Sequence, residues 1–364
     1  MKKKKNGLKW LVLVLVLLVT AFTGSMVACG LFKERNSDKS ADKAEESEEI
    51  PYDAEITSLE QGDGINSIAN GYAAEFALEE LPDTIEPCGM CVYDDVLYVT
   101  DTFSKCIWKV TDSSAEIYAG AESSRDIYDK PQGGYNDADA TEALFKMPWA
   151  IAPFMGGMAV TDTDNNSLRI INAGKVDTLN SSEDGSVYDY PTGISADDGG
   201  NLYIADTHSD DVKIVFSDGS VGTFAEGIDS PMGLFWKAGY LYVAETGKNR
   251  IVKVSTSDLS VPKSKNDLEV VAGSGEEGFD DGNALGATFS SPKGLAVGDD
   301  GTVYVADTVN GAVRCIKNGQ VKSLEIKDSL SPDAELVSPI GICIYGGRLY
   351  VADNFGRRIY SISI

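Results

Sequence analysis

A short apolar run that ends in an acid, usually followed by threonine, recurs six times along this chain and constrains its fold more than any other feature. A second phrase, proline followed two residues later by glycine or alanine, precedes each copy, and the six prolines are spaced 40 to 61 residues apart. Self-similarity at such a period indicates a repeat architecture. The prolines are Pro87, Pro148, Pro191, Pro231, Pro292 and Pro339; the acids are Asp101, Asp162, Asp206, Glu245, Asp307 and Asp353.

Each repeat unit predicts four short strands. In the fifth unit, apolar or alternating runs at 294–297, 303–306, 312–316 and 321–324 are separated by turns rich in Asp, Asn and Gly. Runs of this length with such boundaries are typical of strands and hairpins. Strand-only units of about 40 residues in tandem predict an all-β, six-bladed β-propeller rather than a helical solenoid.

The repeats resemble those of the NHL family over residues 87–364. The resemblance rests on the Tyr-Val-Ala-Asp-Thr phrase, on the segment 248–254, and on two insertions, 134–148 and 278–292, that share the pattern Ala-x-Phe-x-x-Pro. It implies a six-bladed propeller of NHL type but no particular activity, since propellers include binding proteins and enzymes. Each insertion is expected to form one helical turn that plugs an aromatic between blades; the alternative is a metal-binding loop, although the spaced oxygen ligands of a calcium loop are missing.

The last unit ends at Ile364 after three predicted strands, which leaves an edge that could aggregate. Residues 55–60 resemble the fourth strands of other units, so the N-terminal segment is expected to complete the final blade and close the ring. The predicted domains are therefore a signal peptide at 1–29, a flexible polar tether at 30–50, and the propeller at 51–364.

The first 29 residues predict export and lipid attachment. Lysines at positions 2–5 precede an apolar stretch at 11–19, and Cys29 follows Val27-Ala28 in a sequence that resembles a bacterial lipobox, although Met26 stands where Leu is usual. Ordinary signal cleavage and an uncleaved anchor are the alternatives. The expected location is the extracytoplasmic face of the cell membrane, with Cys29 lipidated.

Composition narrows the classes of partner. The formal net charge is -26, and residues 1–29 hold five lysines and no acids, so the mature chain is still more acidic. This argues against nucleic acid, which requires basic patches. Five cysteines remain after Cys29, an odd number that cannot pair fully, and they are interpreted as buried free thiols rather than a redox or metal site. They are Cys88, Cys91, Cys106, Cys315 and Cys343.

Catalytic groups are sparse in the sequence. His208 is the one histidine and lies in a polar turn, so neither a multi-histidine zinc site nor a Ser-His-Asp triad is favoured. The six repeated acids are expected to accept hydrogen bonds from loop backbone. The residue after each proline is neither Asn nor an acid, unlike the channel ligands of gluconolactonase-like calcium hydrolases.

The expected ligand site lies on the face formed by the loops after each Asp-Thr phrase and before each proline. Phe103 and Phe355 occupy equivalent loop positions in neighbouring blades, with Arg357 and Arg358 close by, and an aromatic–basic patch suits an anionic or aromatic partner. Three residues are predicted at the channel mouth: Trp149, Met232 and Lys293. The predicted function is a non-catalytic binding or scaffold propeller for an extracellular peptide, glycan, small ligand or protein. The alternative is a divalent-metal hydrolase or lyase with calcium in the channel.

The lipid attachment predicts that radiolabelled fatty acid enters the wild-type precursor but not the Cys29→Ser variant, because only the lipobox cysteine is acylated. Labelling of immunoprecipitated protein measures this, with Cys315→Ser as the matched cysteine control. Equal labelling of Cys29→Ser and wild type would show that Cys29 is not the site.

Overall fold

The computed structural model describes residues 76–179, 181–182, 185–325 and 335–364. These residues form six antiparallel blade sheets, one for each sequence repeat, and a separate two-stranded hairpin, so the all-β, six-bladed fold is confirmed. The innermost strand of every blade has the repeat proline as its first residue. That position suits proline, because the first residue of a strand can lack an N–H without losing a ladder bond.

The strands follow the chain outward within each blade. Blade 1 comprises β1 (Pro87–Tyr93), β2 (Val96–Asp101), β3 (Cys106–Val110) and β4 (Ala115–Ala119). Blade 2 comprises β6 (Pro148–Phe154), β7 (Gly157–Asp162), β8 (Ser167–Asn172) and β9 (Lys175–Leu179), with β5 (Ala138–Asp139) added outside β9. Blade 3 comprises β12 (Pro191–Ala196), β13 (Leu202–Asp206), β14 (Asp211–Val215) and β15 (Val221–Glu226). The small hairpin β10 (Ser181–Ser182) and β11 (Gly185–Ser186) lies between blades 2 and 3 in sequence.

Blades 4 to 6 repeat this order. Blade 4 comprises β16 (Pro231–Lys237), β17 (Tyr240–Glu245), β18 (Arg250–Ser255) and β19 (Glu269–Ala272). Blade 5 comprises β21 (Pro292–Val297), β22 (Val303–Asp307), β23 (Ala312–Lys317) and β24 (Gln320–Ser323), with β20 (Gly282–Asn283) added outside β24. Blade 6 comprises β25 (Pro339–Tyr345), β26 (Arg348–Asp353) and β27 (Arg358–Ser363). Short 3-10 helices in the described residues are Leu78–Glu80, Thr163–Asn165, Thr207–Ser209, Thr246–Lys248 and Lys265–Asp267.

Blades pack face to face through separate apolar clusters, one at each of the six blade junctions. The junction of blades 3 and 4, for example, buries Tyr203 and Phe224 against Leu234 and Val243. The junction of blades 6 and 1 buries Phe76 against Tyr350, with ring centroids 5.4 Å apart. Burying apolar side chains between sheets is the main favourable term that holds such a ring together.

The innermost strands approach one another so closely at the axis that the repeated glycine leaves no space for a side chain. A Cβ on Gly233 would lie 1.9 Å from the carbonyl oxygen of Lys293 in the next blade, and one on Gly341 would lie 1.9 Å from that of Cys88. The same approach to the following blade occurs at Gly89, Gly193 and Gly294. The Pro-x-Gly phrase therefore encodes contact between blades.

A second set of contacts between blades uses the residue after the repeated acid in blades 2 to 6, whereas Thr102 of blade 1 donates to Glu86 of its own blade. Thr163, Thr207, Thr246 and Thr308 donate through Oγ1 to the carbonyl of the next blade's proline at 2.6 to 2.8 Å. In blade 6, Asn354 Nδ2 donates 3.1 Å to the carbonyl oxygen of Pro87. The chain's last blade is thus bonded to its first, and the ring closes within the described residues.

Blade 6 has three strands in the part of the chain that the structure describes. The expected fourth strand at 55–60 lies outside the described residues, so closure of the ring by an N-terminal strand stays a prediction. The described link between blades 6 and 1 is made instead by the glycine contact, the Asn354 hydrogen bond and the Phe76 cluster.

The insertions before blades 2 and 5 form plugs that hold a buried arginine. Arg169 is fully buried, with Tyr135 and Phe145 on its two sides at 5.0 and 4.9 Å from the ring centroids. Its guanidinium donates to Asp162 and Asp137 at 2.9 and 2.7 Å. Blade 5 repeats the arrangement with Arg314, Phe279, Phe289, Asp307 and Asp281. Asp137 and Asp281 of the insertions are therefore paired with the buried arginines, and the inter-blade plug is the arrangement observed.

The axial glycine contacts predict that Gly233→Ala destabilises the protein by about 2 kcal/mol or more, since overpacking against backbone forces the strands apart. Chemical denaturation measures the change. Gly222→Ala is the matched control on outer strand β15, where an added Cβ meets side-chain atoms at 3.6 Å, an ordinary contact distance. Equal, small effects of both variants would contradict the proposed role of the glycine.

Candidate functional site

One end of the ring, here called the loop face, carries the loops between the second and third strands together with the loops that lead into each proline. The two kinds of loop are hydrogen bonded: the amide of Thr102 donates to the carbonyl of Glu86, and the amide of Asn354 donates to that of Ser338, both at 3.0 Å. The loops that the sequence predicts for ligand binding therefore form one surface.

The six repeated acids accept hydrogen bonds from the backbone of the loop face, as the sequence predicts. All are at most 1% exposed, and each accepts from a backbone N–H just before its own blade's proline. Asp353, for example, accepts from the amides of Val337 and Ser338 at 2.9 and 2.7 Å. Carboxylates occupied in this way position loops and do not face the axis.

Glu245 is a longer side chain at the equivalent position. Burial works to raise its pKa, but hydrogen bonds from Arg250 and Lys248 hold it below the ordinary value. The contacts are a 2.5 Å bond from Arg250 Nε and a 2.6 Å bond from Lys248 Nζ. Glu245 is therefore held as an ion within blade 4 by these two cations.

The inner strands surround a small cavity on the propeller axis, here called the axial cavity, with a volume of about 70 Å³. Its lining comes from the three residues that follow the proline of each blade, apart from the buried Thr192. The structure brings the three predicted mouth residues together here: Trp149, Met232 and Lys293. Lys293 Nζ lies 5.7 Å from the Trp149 ring centroid, within cation–π range.

The electrostatics of the axial cavity are dominated by one cation. Of the described residues that line it, Lys293 alone carries a charge. Burial raises the pKa of the Cys88 thiol, although the positive charge of Lys293 acts in the opposite direction. Cys88 is fully buried and stays a neutral thiol, so it is a poor nucleophile.

The predicted aromatic–basic patch is assembled on the loop face of blades 1 and 6. The Arg357 guanidinium lies 5.8 Å from the centroid of the half-buried Phe103 ring and pairs with Glu86 at 3.5 Å. Phe355 is 59% exposed. Arg358 instead stacks on Tyr360 of its own strand, at 5.9 Å from the ring centroid.

Two exposed aliphatic side chains on the loop face were not predicted from the sequence. Val309 and Val337 are 47% and 59% exposed on the neighbouring loops of blades 5 and 6. Val337 donates its amide to Asp353, the acid that also fixes the Phe355 loop through Gly356. Their positions one or two residues from the repeat phrases could have revealed them. The five residues Phe103, Val309, Val337, Phe355 and Arg357 are here called the rim patch.

Comparison with known proteins identifies the repeats. The model of the teneurin NHL domain matches residues 234–328. Teneurin-3 of Danio rerio is 28% identical over 321 residues, 74% of this chain, and NHL repeat-containing protein 2 of Bos taurus is 24% identical over 290 residues, 63% of this chain. The repeats of this chain are therefore similar to those of NHL-repeat proteins. The chain spans only 12% and 38% of the lengths of these two relatives.

Solved structures with low identity share the fold of this propeller. An auxiliary nutrient binding protein from Bacteroides ovatus superposes with a TM-score of 0.56 at 14% identity, covering 77% of this chain and 69% of that one. Virginiamycin B lyase from Staphylococcus aureus gives 0.52 at 15% identity, covering 80% of this chain and 100% of that one. At such identity the likeness establishes the fold and leaves the activity open.

Groups with catalytic potential are dispersed in the propeller. In the described part of the chain, no group of three or more His, Cys, Asp or Glu is placed to hold a metal ion. His208 stacks on Tyr190 with ring centroids 4.3 Å apart and lies 3.5 Å from Asp189 at the surface. No helix among the described residues is long and apolar enough to cross a membrane.

The remaining cysteines are free thiols in the described residues, three of them buried and two half-buried. Cys343 is buried as the sequence predicts, and burial raises its pKa to about 12. Cys91, at the equivalent strand position in blade 1, is half-buried rather than buried. Thiols with raised pKa are poorly reactive, which agrees with a packing role.

The buried ion pairs predict that Asp307→Asn lowers the free energy of unfolding by about 3 kcal/mol, because Arg314 loses a fully buried partner 2.7 Å away. Urea denaturation measures the loss. Asp299→Asn, which removes a 99% exposed carboxylate paired with Lys237, should change stability by less than about 0.5 kcal/mol. A similar small change for Asp307→Asn would contradict a structural role of the repeated acid.

Proposed function

We propose that this propeller is a non-catalytic binding protein that takes a peptide, glycan or small ligand on its loop face. The observation that carries the proposal is the axial cavity, where Trp149, Met232 and Lys293 meet on the side of the ring that also bears the rim patch. An indole, a thioether and a cation in one concave site are groups that bind ligands in many proteins.

The dimensions of the site support a ligand that lies mainly on the surface. A volume of about 70 Å³ has room for a few water molecules, whereas pockets that enclose whole ligands hold roughly 300 Å³ or more. Only one end of a ligand fits into the axial cavity. The rest would lie on the loop face, where Phe355 and Val337 offer exposed apolar area.

Lipid attachment completes the proposal. A lipidated Cys29 followed by the polar segment 30–50 would hold the propeller at the extracytoplasmic face of the membrane while allowing it to reorient. The support is the sequence of residues 1–29, with its basic start, apolar stretch and terminal cysteine. A binding protein in this position would meet extracellular ligands.

The rival function is a divalent-metal hydrolase or lyase with its site in the channel. Such a site needs carboxylate, imidazole or similar ligands around the axis. Of the described cavity-lining residues, none is Asp, Glu or His. The side chains that line the axial cavity therefore favour ligand binding over metal-assisted catalysis.

The binding site predicts that Trp149→Ala and Phe355→Ala weaken binding of a ligand found by screening the purified protein, each by about tenfold, as for aromatic residues at binding hot spots. Isothermal calorimetry measures the change. Ile117→Ala is the matched control, since Ile117 is 47% exposed on strand β4 rather than on the loop face. Unchanged affinity in both folded site variants would place the binding site elsewhere.

A further inference from the structure

We propose that the axial cavity recognises a carboxylate, and that the ligand carries a flat or apolar group next to it that packs on Trp149. This inference rests on the proposed function, because it names the ligand chemistry of the same site. It selects one class among peptides, glycans and small molecules: acids whose carboxylate projects from an apolar or aromatic portion.

The first argument is the hydrogen-bonding character of the lining side chains. Lys293 is a donor without an acceptor, and so is the indole N–H of Trp149. A carboxylate is the complementary group, since it only accepts. A neutral sugar or amide would bring donors that these two side chains cannot satisfy.

The second argument is charge in an apolar setting. Met90, Ile151, Leu234, Leu295 and Ile342 form much of the remaining wall. A charge-assisted hydrogen bond is stronger where water is partly excluded, so an anion gains more from Lys293 here than from a surface lysine. A cationic ligand would meet the same charge with repulsion.

The third argument is the placement of Trp149 beside the cation. The 5.7 Å separation between Lys293 Nζ and the indole centroid lets one ligand reach both groups. Because the cavity admits only a few water volumes, the carboxylate would enter it and the adjoining apolar group would stack near its mouth. The rim patch then adds apolar area for a longer ligand.

The experiment uses the full-length protein in detergent, labelled with 5-fluorotryptophan, of which the chain has four sites. The Trp149 signal is assigned with Trp149→Phe. Three probes are titrated: N-acetylphenylalanine, its neutral amide, and glucuronate. The first two differ only in the carboxylate, and the third separates a sugar acid from an acid with an apolar neighbour.

The expected result is that N-acetylphenylalanine shifts the Trp149 signal and binds at least about tenfold more tightly than the amide, the margin of a charge-assisted hydrogen bond. Glucuronate should bind more weakly than N-acetylphenylalanine. Lys293→Met should abolish the preference for the acid, and Lys293→Arg should restore part of it. Lys237→Met is the control, since this lysine pairs with Asp299 outside the cavity lining.

Three outcomes would overturn the inference. Equal binding of acid and amide with a shifted Trp149 signal would reject carboxylate recognition and leave the proposed binding site intact. Tighter binding of glucuronate would reject the apolar neighbour. The carboxylate would bind outside the axial cavity if Lys293→Met still prefers the acid, or if the probes bind without shifting the Trp149 signal. The binding measurements on Trp149→Ala would then test the proposed function separately.

Discussion

The close approach of backbone to backbone around the axis is the constraint on which the rest of this propeller depends. Each glycine of the Pro-x-Gly phrase faces a carbonyl of the next blade so closely that a methyl group would collide with it. That approach draws the six sheets inward, keeps the channel narrow and aligns the residue after each proline around one small cavity. Blade packing, loop placement and the candidate site all follow from it.

A second consequence concerns how polar groups are used. The repeated acids and the two buried arginines lie inside the blades, where they satisfy loop amides and one another. Burying charges is costly unless every partner is present, so these networks specify loop geometry more than they add stability. Because the repeated acids are buried, the axial cavity of this acidic protein is lined by a lysine, Lys293, beside the indole of Trp149.

The sequence predicted the fold well because period and spacing reflect local physics: strand length, turn residues and a fixed phrase in each blade. It also placed Trp149, Met232 and Lys293 at the mouth, since equivalent positions in a ring must converge. It could not show that Lys293 reaches the indole, that Arg358 stacks on Tyr360, or that Val309 and Val337 are exposed. Those contacts depend on side-chain direction and on neighbouring blades, which a linear pattern does not contain.

The two arginine plugs occur in blades 2 and 5, three blades apart, and both follow proline intervals of 61 residues. Because blades 2 and 5 lie opposite each other in a ring of six, the two plugs are related by an approximate twofold axis along the channel. Under that symmetry Trp149 and Lys293 are equivalent positions on opposite sides of the axis. The cation and the indole thus reach the axial cavity from equivalent positions of opposite blades, so the asymmetry of the candidate site lies in which side chains occupy those positions.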